Sequence, residues 1–163
     1  MYFWRIEQLK QRLTTTALTD REVLPYFVIF LSLISALWFI PASTQNVWDH
    51  ATTGVSTLLS VFGTIWLYQR NGGAAGHHFL QRYFAVGWVV AVRWAAAVVL
   101  LSGGFYSTLY ALDILAETMS WQETAFFALA EIVLYWRIGF HIHDLANRTA
   151  AAYATQDPDM KRK

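Results

Sequence analysis

The chain has 163 residues, of which 56% are hydrophobic, 17% aromatic and only 14% charged, whereas a soluble globular chain carries about 25% charged residues. Charge is absent from 23–48 and from 50–69, which excludes a water-soluble fold because soluble helices need a polar outer face. Its 12 basic and 11 acidic residues leave no basic excess to neutralise phosphates, so nucleic acid is excluded as a partner.

The first predicted element is a short amphipathic helix in the N-terminal segment, 1–22. Apolar Phe3, Ile6, Leu9 and Leu13 recur at roughly helical spacing among basic residues. Helices of this kind lie on the membrane surface with their apolar face in the lipid. We therefore expect the lipid bilayer to be a partner of this segment.

Four apolar segments follow, and each is long enough to cross a hydrocarbon core, which needs about 17–25 helical residues. Helix breakers close them: Pro41 ends the first, Asn71-Gly72-Gly73 follows the second, and Ser102-Gly103-Gly104 follows the third. Asp49 is the expected N-cap of the second. The fold class predicted for the single domain, 1–163, is all-α: an integral membrane bundle of four transmembrane helices with the amphipathic N-terminal helix. The predicted spans are 24–40, 50–69, 83–101 and 124–143.

Two boundaries stay open. The first span either begins at the Thr19-x-x-Glu22 capping box and is kinked at Pro25, or it begins near Leu24 with Pro25 in its first turn. Residues 105–118 either form an interfacial helix or prolong the third span. The tail, 148–163, is expected to be frayed.

Lysine and arginine are distributed asymmetrically outside the spans. The N-terminal segment, the 70–82 loop and the tail carry all of them, whereas loops 41–49 and 102–122 carry none. Cytoplasmic loops of membrane proteins carry such an excess of basic residues. The sequence therefore predicts a bacterial inner-membrane protein with both termini in the cytoplasm.

The second span carries hydroxyl groups on one helical face, since they recur at intervals of four residues. Hydroxyl and small residues let membrane helices pack closely and bond to each other. This face either packs inside the bundle or lines a pore. Its residues are Thr52, Ser56, Ser60 and Thr64.

Arg93 and Glu131 are charges inside predicted spans. At 1.5 Å per residue, Arg93 lies about 15 Å from the cytoplasmic end of its span, and Glu131 lies about 11 Å from the outer end of its span. In a hydrocarbon core about 30 Å thick, both are therefore at similar depth. Charges at this depth tend to face the bundle and to be paired. The sequence predicts an Arg93–Glu131 ion pair. Such a pair either has a structural role or handles protons or ions; the remaining alternative is that one of the two residues contacts a partner subunit instead.

Polar residues also gather at the inner end of the fourth span. Arg137, His141, Asp144 and Arg148 share one helical face, and His143 lies on another. With His77 and His78 of the 70–82 loop, His141 and His143 are weak candidates for binding haem iron or another metal.

No phosphate-binding loop, paired metal-binding histidines or nucleophile–base set is recognisable, and cysteine chemistry is excluded because the chain has none. We therefore expect a protein that is not an enzyme, has no cofactor and acts by assembly with itself or another membrane protein. It would be a homo-oligomeric pore or membrane-permeabilising protein, or an accessory subunit of a larger complex. The alternatives are a b-type haem electron carrier and a small proton- or ion-coupled transporter that uses Arg93 and Glu131.

Overall fold

The structure is a computed structural model that describes residues 6–15, 46–115 and 118–156, and its regular elements there are all helical. The predicted span at 24–40, with Pro25, lies outside the described residues. A short 3-10 turn, Gly73–Ala75, lies in the connection at 71–78. The helices are α1 (Ile6–Thr15), α2 (Val47–Arg70), α3 (Phe79–Ala111) and α4 (Trp121–Gln156).

Among the described helices, two are long and apolar enough to cross a membrane. They are Phe79–Ala111, with a mean hydropathy of 2.1 in its most apolar window, and Trp121–Tyr153, with 1.4. Helix α2 has 24 residues, so it is also long enough, but its threonine and serine residues make it less apolar. The described part of the chain is thus a helical protein with two possible membrane-spanning helices.

Helix α2 begins three residues before the predicted start at residue 50. Its N-cap is Asn46, whose side-chain oxygen accepts hydrogen bonds from the Trp48 and Asp49 backbone N–H groups at 2.7 and 3.1 Å. Asp49 instead accepts from the Asn46 backbone N–H at 2.8 Å. The prediction of Asp49 as the N-cap is therefore wrong. Asp49 is the third residue of the helix, N3, and its side chain completes a capping box with Asn46.

Helices α3 and α4 are longer than predicted. Helix α3 continues through Gly103 and Gly104, whose carbonyls accept hydrogen bonds from the hydroxyls of Ser107 and Thr108 at 2.7 and 2.9 Å. Glycine costs a helix only about 1 kcal/mol, which so apolar a helix tolerates. Residues 105–111 thus prolong the third predicted span. Helix α4 likewise continues through 148–156, so this part of the tail is helical, whereas the sequence predicts a frayed tail.

Helix α4 contacts both α2 and α3. On the α2 side the backbones approach closely, since a Cβ atom added at Gly63 would clash with the Tyr135 ring and one added at Gly139 would clash with Trp66. On the α3 side Trp94 Nε1 donates to the Ala130 carbonyl at 2.9 Å. These contacts determine how α4 packs against its two neighbours.

Helix α1 packs at the end of the bundle that carries the turn at 71–78, which we call the turn end. Its Leu9 and Leu13 are buried in one apolar cluster with residues of the three long helices, including Leu67, Val86 and Ile142. This cluster is the core of the described structure, and it fixes the polar residues around it.

Candidate functional site

The hydroxyl face of α2 is turned toward α4. Thr52 and Thr124 share a hydrogen bond of 2.8 Å. The hydroxyls of Ser56 and Ser60 donate to the two carboxylate oxygens of Glu131 at 2.7 and 3.1 Å. Thr64 lies half-buried farther along the same helix. In this structure the face makes intramolecular contacts, which is the packing alternative of the two that the sequence left open.

Arg93 lies elsewhere. It lines a small cavity of about 160 Å³ together with Ile6, Trp94, Arg137 and His141. Within the described residues, Arg93 and Glu131 form no ion pair. Their sequence neighbours do meet, because Trp94 Nε1 donates to the carbonyl of Ala130, but successive helical residues point about 100° apart. Glu131 therefore faces α2 while its neighbour Ala130 faces α3.

The predicted polar cluster of α4 separates into two groups. Asp144 and Arg148 form an ion pair at 3.0 Å, whereas Arg137 and His141 line the Arg93 cavity. Asp144 also accepts a hydrogen bond from Lys10 Nζ at 2.8 Å, and Arg148 contacts Glu7 at 3.3 Å. Ionic contacts thus join α1 to α4.

The sequence interpretation missed Lys10 and Glu7. Lys10 is only 2% exposed, although it belongs to a basic segment expected to face solvent. Its hydrogen bond to Glu7, at 3.2 Å, holds the pKa of that carboxyl below its ordinary value. The available signal was the Glu7–Lys10 spacing, which places the two side chains on one helical face.

The four candidate histidines do not all lie together, although His77 and His143 line one cavity near the 71–78 connection. The ring of His77 lies 6.4 Å from that of His78 and 5.7 Å from that of Tyr153. His143 Nε2 lies 3.2 Å from Asn147 Nδ2, and His141 lies in the Arg93 cavity. In the parts of the chain that the structure describes, no group of three side chains could hold a metal ion.

A cavity of about 800 Å³ lies at the turn end between the 71–78 connection and the last turns of α4. Arg82 forms part of its wall and is only 2% exposed. The polar residues that line the cavity with it include Arg70, Asn71, His77, His143, Asn147 and Tyr153.

The guanidinium of Arg82 joins three elements. It donates to Asn71 Oδ1 at 2.9 Å and to Thr149 Oγ1 at 2.8 Å, and its buried Nε has no hydrogen-bond partner among the residues that the structure describes. Asn71 is the C-cap of α2, so the end of that helix positions it over Arg82. The sequence interpretation counted Arg82 only as a basic loop residue. The missed signal is its place on the same helical face as Ala85, Val86 and Val89, which are buried.

An exposed stripe of small residues runs along the half of α3 farther from the turn end. A Cβ atom added at Gly103 would contact no described atom outside its own stretch of helix within 4 Å. Large apolar side chains beside the stripe are uncovered as well, with Leu100 79% and Tyr110 76% exposed. We call this surface the α3 face; its small and β-branched residues, spaced four apart and all exposed, are Ala95, Val99, Gly103, Ser107 and Ala111.

Comparison of the chain with protein-family models, with curated proteins and with solved structures found no significant match.

Proposed function

We propose that this chain is an integral inner-membrane protein that acts by assembly with a second copy of itself through the α3 face, without catalysing a reaction. The proposal includes four transmembrane spans, an amphipathic N-terminal helix and cytoplasmic termini. It rests chiefly on the exposed stripe of Ala95, Val99, Gly103, Ser107 and Ala111.

The chemistry of the α3 face suits a helix–helix contact in lipid. Small residues spaced four apart let two backbones approach closely, and this close packing drives the association of membrane helices. The hydroxyls of Ser107 and Thr108 already bond within their own helix, so the face carries no polar group that needs water. Neighbouring Leu100 and Tyr110, which are also exposed, would add contact area beside the stripe.

A second copy is favoured as the occupant because one stripe on one helix is self-complementary. Two copies related by a twofold axis would bring Gly103 of each chain close to Gly103 of the other, which is the arrangement of an isologous dimer. An assembly that permeabilises the membrane would form its opening between copies, because the hydroxyl face of α2 is engaged with α4. The alternative occupant is a helix of a larger membrane complex in which this chain is an accessory subunit.

Disulfide cross-linking in native membranes tests the proposal. The chain has no cysteine, so a single Gly103→Cys variant gives an unambiguous readout. Gly54→Cys in α2 is the matched control, since both glycines are exposed and neither has an atom within 4 Å of an added Cβ.

We expect oxidation to convert Gly103→Cys to a dimer while Gly54→Cys stays monomeric. Monomer only from both variants, or equal dimer from both, would contradict assembly of copies through the α3 face. A cross-link from Gly103→Cys to a different protein would favour the accessory-subunit alternative instead.

A further inference from the structure

We propose that the cavity at the turn end is a binding site for a phosphate group, with Arg82 as its central ligand. The cavity occupies about 800 Å³, which is within the range of about 300–1,000 Å³ found for small-molecule sites. This site does not depend on the proposed assembly, because the α3 face lies on the other half of α3.

The hydrogen bonds of Arg82 carry the inference. A guanidinium has five N–H donors and a permanent positive charge. Here it has two acceptors, the amide oxygen of Asn71 and the hydroxyl of Thr149, and both are neutral. Its Nε has none within the described part of the chain. Among the described residues, no carboxylate forms an ion pair with it. A charge that is 98% buried without a counter-ion is costly, and a bound anion would offset that cost.

The surrounding residues have the matching chemistry. Arg70 adds a second positive charge at the cavity wall, and His77 and His143 add imidazole groups that can donate hydrogen bonds. Tyr153 and Asn147 supply neutral donors. The described lining includes no aspartate or glutamate, so nothing in it would repel an anion.

A phosphate fits this donor set better than a single carboxylate does. Its oxygens can accept from the planar arginine fork in bidentate fashion and still reach further donors. Two sources of such a group suit the position of the cavity, which lies at one end of two helices that could span a membrane. One is the headgroup of an anionic phospholipid, and the other is a soluble phosphate compound.

The test measures the unfolding temperature of the purified protein in an uncharged detergent, because a ligand that binds the folded state raises this temperature, and the rise increases with the logarithm of ligand concentration divided by Kd. One arm titrates inorganic phosphate against chloride at equal ionic strength. The other titrates short-chain phosphatidylglycerol against short-chain phosphatidylcholine. Phosphatidylglycerol binding alone would identify the lipid source, and inorganic phosphate binding would identify the soluble one.

Two variants with matched controls connect the binding to the cavity. Arg82→Lys keeps the charge but loses the bidentate fork. Ala150→Trp fills the cavity with a large side chain at an exposed position, so we expect this variant to fold even if Arg82→Lys does not. The controls are Arg137→Lys and Ala125→Trp, which are exposed and outside the cavity lining.

We expect Arg82→Lys and Ala150→Trp to weaken binding about ten- to a hundredfold, the range for losing hydrogen bonds to a charged group, while the controls bind as the wild type does. Stabilisation by neither probe would overturn the proposal. Equal binding in the wild type and both cavity variants would also overturn it, as would equal weakening by the controls.

Discussion

Glu131 illustrates how this protein accommodates a carboxylate among apolar helices. Burying a carboxylate without donors is costly, and Ser56 and Ser60 supply one hydroxyl to each of its oxygens. Hydrogen bonds to an ionised acceptor are roughly twice as strong as neutral ones. The two serines thus take the role for which the sequence had suggested Arg93.

We predict that Ser56→Ala lowers the free energy of unfolding by about 1–3 kcal/mol, the usual cost of leaving a polar group that is shielded from water short of a hydrogen-bond donor; Glu131 is half-buried. Thr57→Ala is the control, because the exposed Thr57 hydroxyl bonds only to the Thr53 carbonyl of its own helix. In double-mutant cycles on thermal stability, the effects of Ser56→Ala and Glu131→Leu should be coupled. The effects of Arg93→Leu and Glu131→Leu should be additive. Additivity of Ser56→Ala and Glu131→Leu would contradict the assignment.

The residue scale also shows what one sequence can predict about a pair. Span lengths predicted that Glu131 and Arg93 lie at similar depth, and in the structure their neighbours Ala130 and Trp94 are joined by a hydrogen bond. They could not give the partner, because the rotation of α4 about its axis depends on packing. That rotation follows from the close approach at Gly63 and Gly139, which is a property of two helices together.

At the scale of elements, α3 and α4 exceed the thickness of a membrane. Each spanning candidate has 33 residues, or about 50 Å of helix at 1.5 Å per residue, against a hydrocarbon core of about 30 Å. Such helices tilt or extend beyond the lipid. Hydropathy and breaker residues located these helices well but placed their ends poorly, because Ser102-Gly103-Gly104 is tolerated within α3.

We predict that the two ends of α3 lie on opposite sides of the membrane, with the turn end in the cytoplasm because of Arg70 and Arg82. Single cysteines at Ala74 and at Leu112, both exposed, should therefore react oppositely with an impermeant maleimide. In intact cells Leu112→Cys should be labelled and Ala74→Cys should be labelled only after lysis. Labelling of Ala74→Cys in intact cells would contradict this orientation.

Helix α1 was predictable as an element but not in its contacts. The spacing of Ile6, Leu9 and Leu13 indicates a helix with an apolar side. The burial of Lys10 could not be predicted, because it depends on Asp144, which is 134 residues away in the chain. At the turn end, helix α1 covers the apolar core with Leu9 and Leu13.

At the scale of the whole molecule, packing among the described helices leaves apolar side chains uncovered on α2, α3 and α4, for example Phe62, Leu100 and Phe140. Helix α4 contacts α2 through the hydroxyl face and α3 through Trp94. The half of α3 around Gly103 keeps its apolar and small residues exposed. Composition alone predicted the helical class and a membrane environment, but the uncovered face follows from which helices contact each other, and no local pattern encodes that.

The number of chains per particle is the most direct test of assembly through the α3 face. Native mass spectrometry of the protein released from lipid nanodiscs measures it. The account predicts more than one chain for the wild type and for Gly54→Leu, and a single folded chain for Gly103→Leu, because a bulky side chain at Gly103 would hold two backbones apart. A wild type that is a single chain, or a Gly103→Leu variant of unchanged mass, would contradict it.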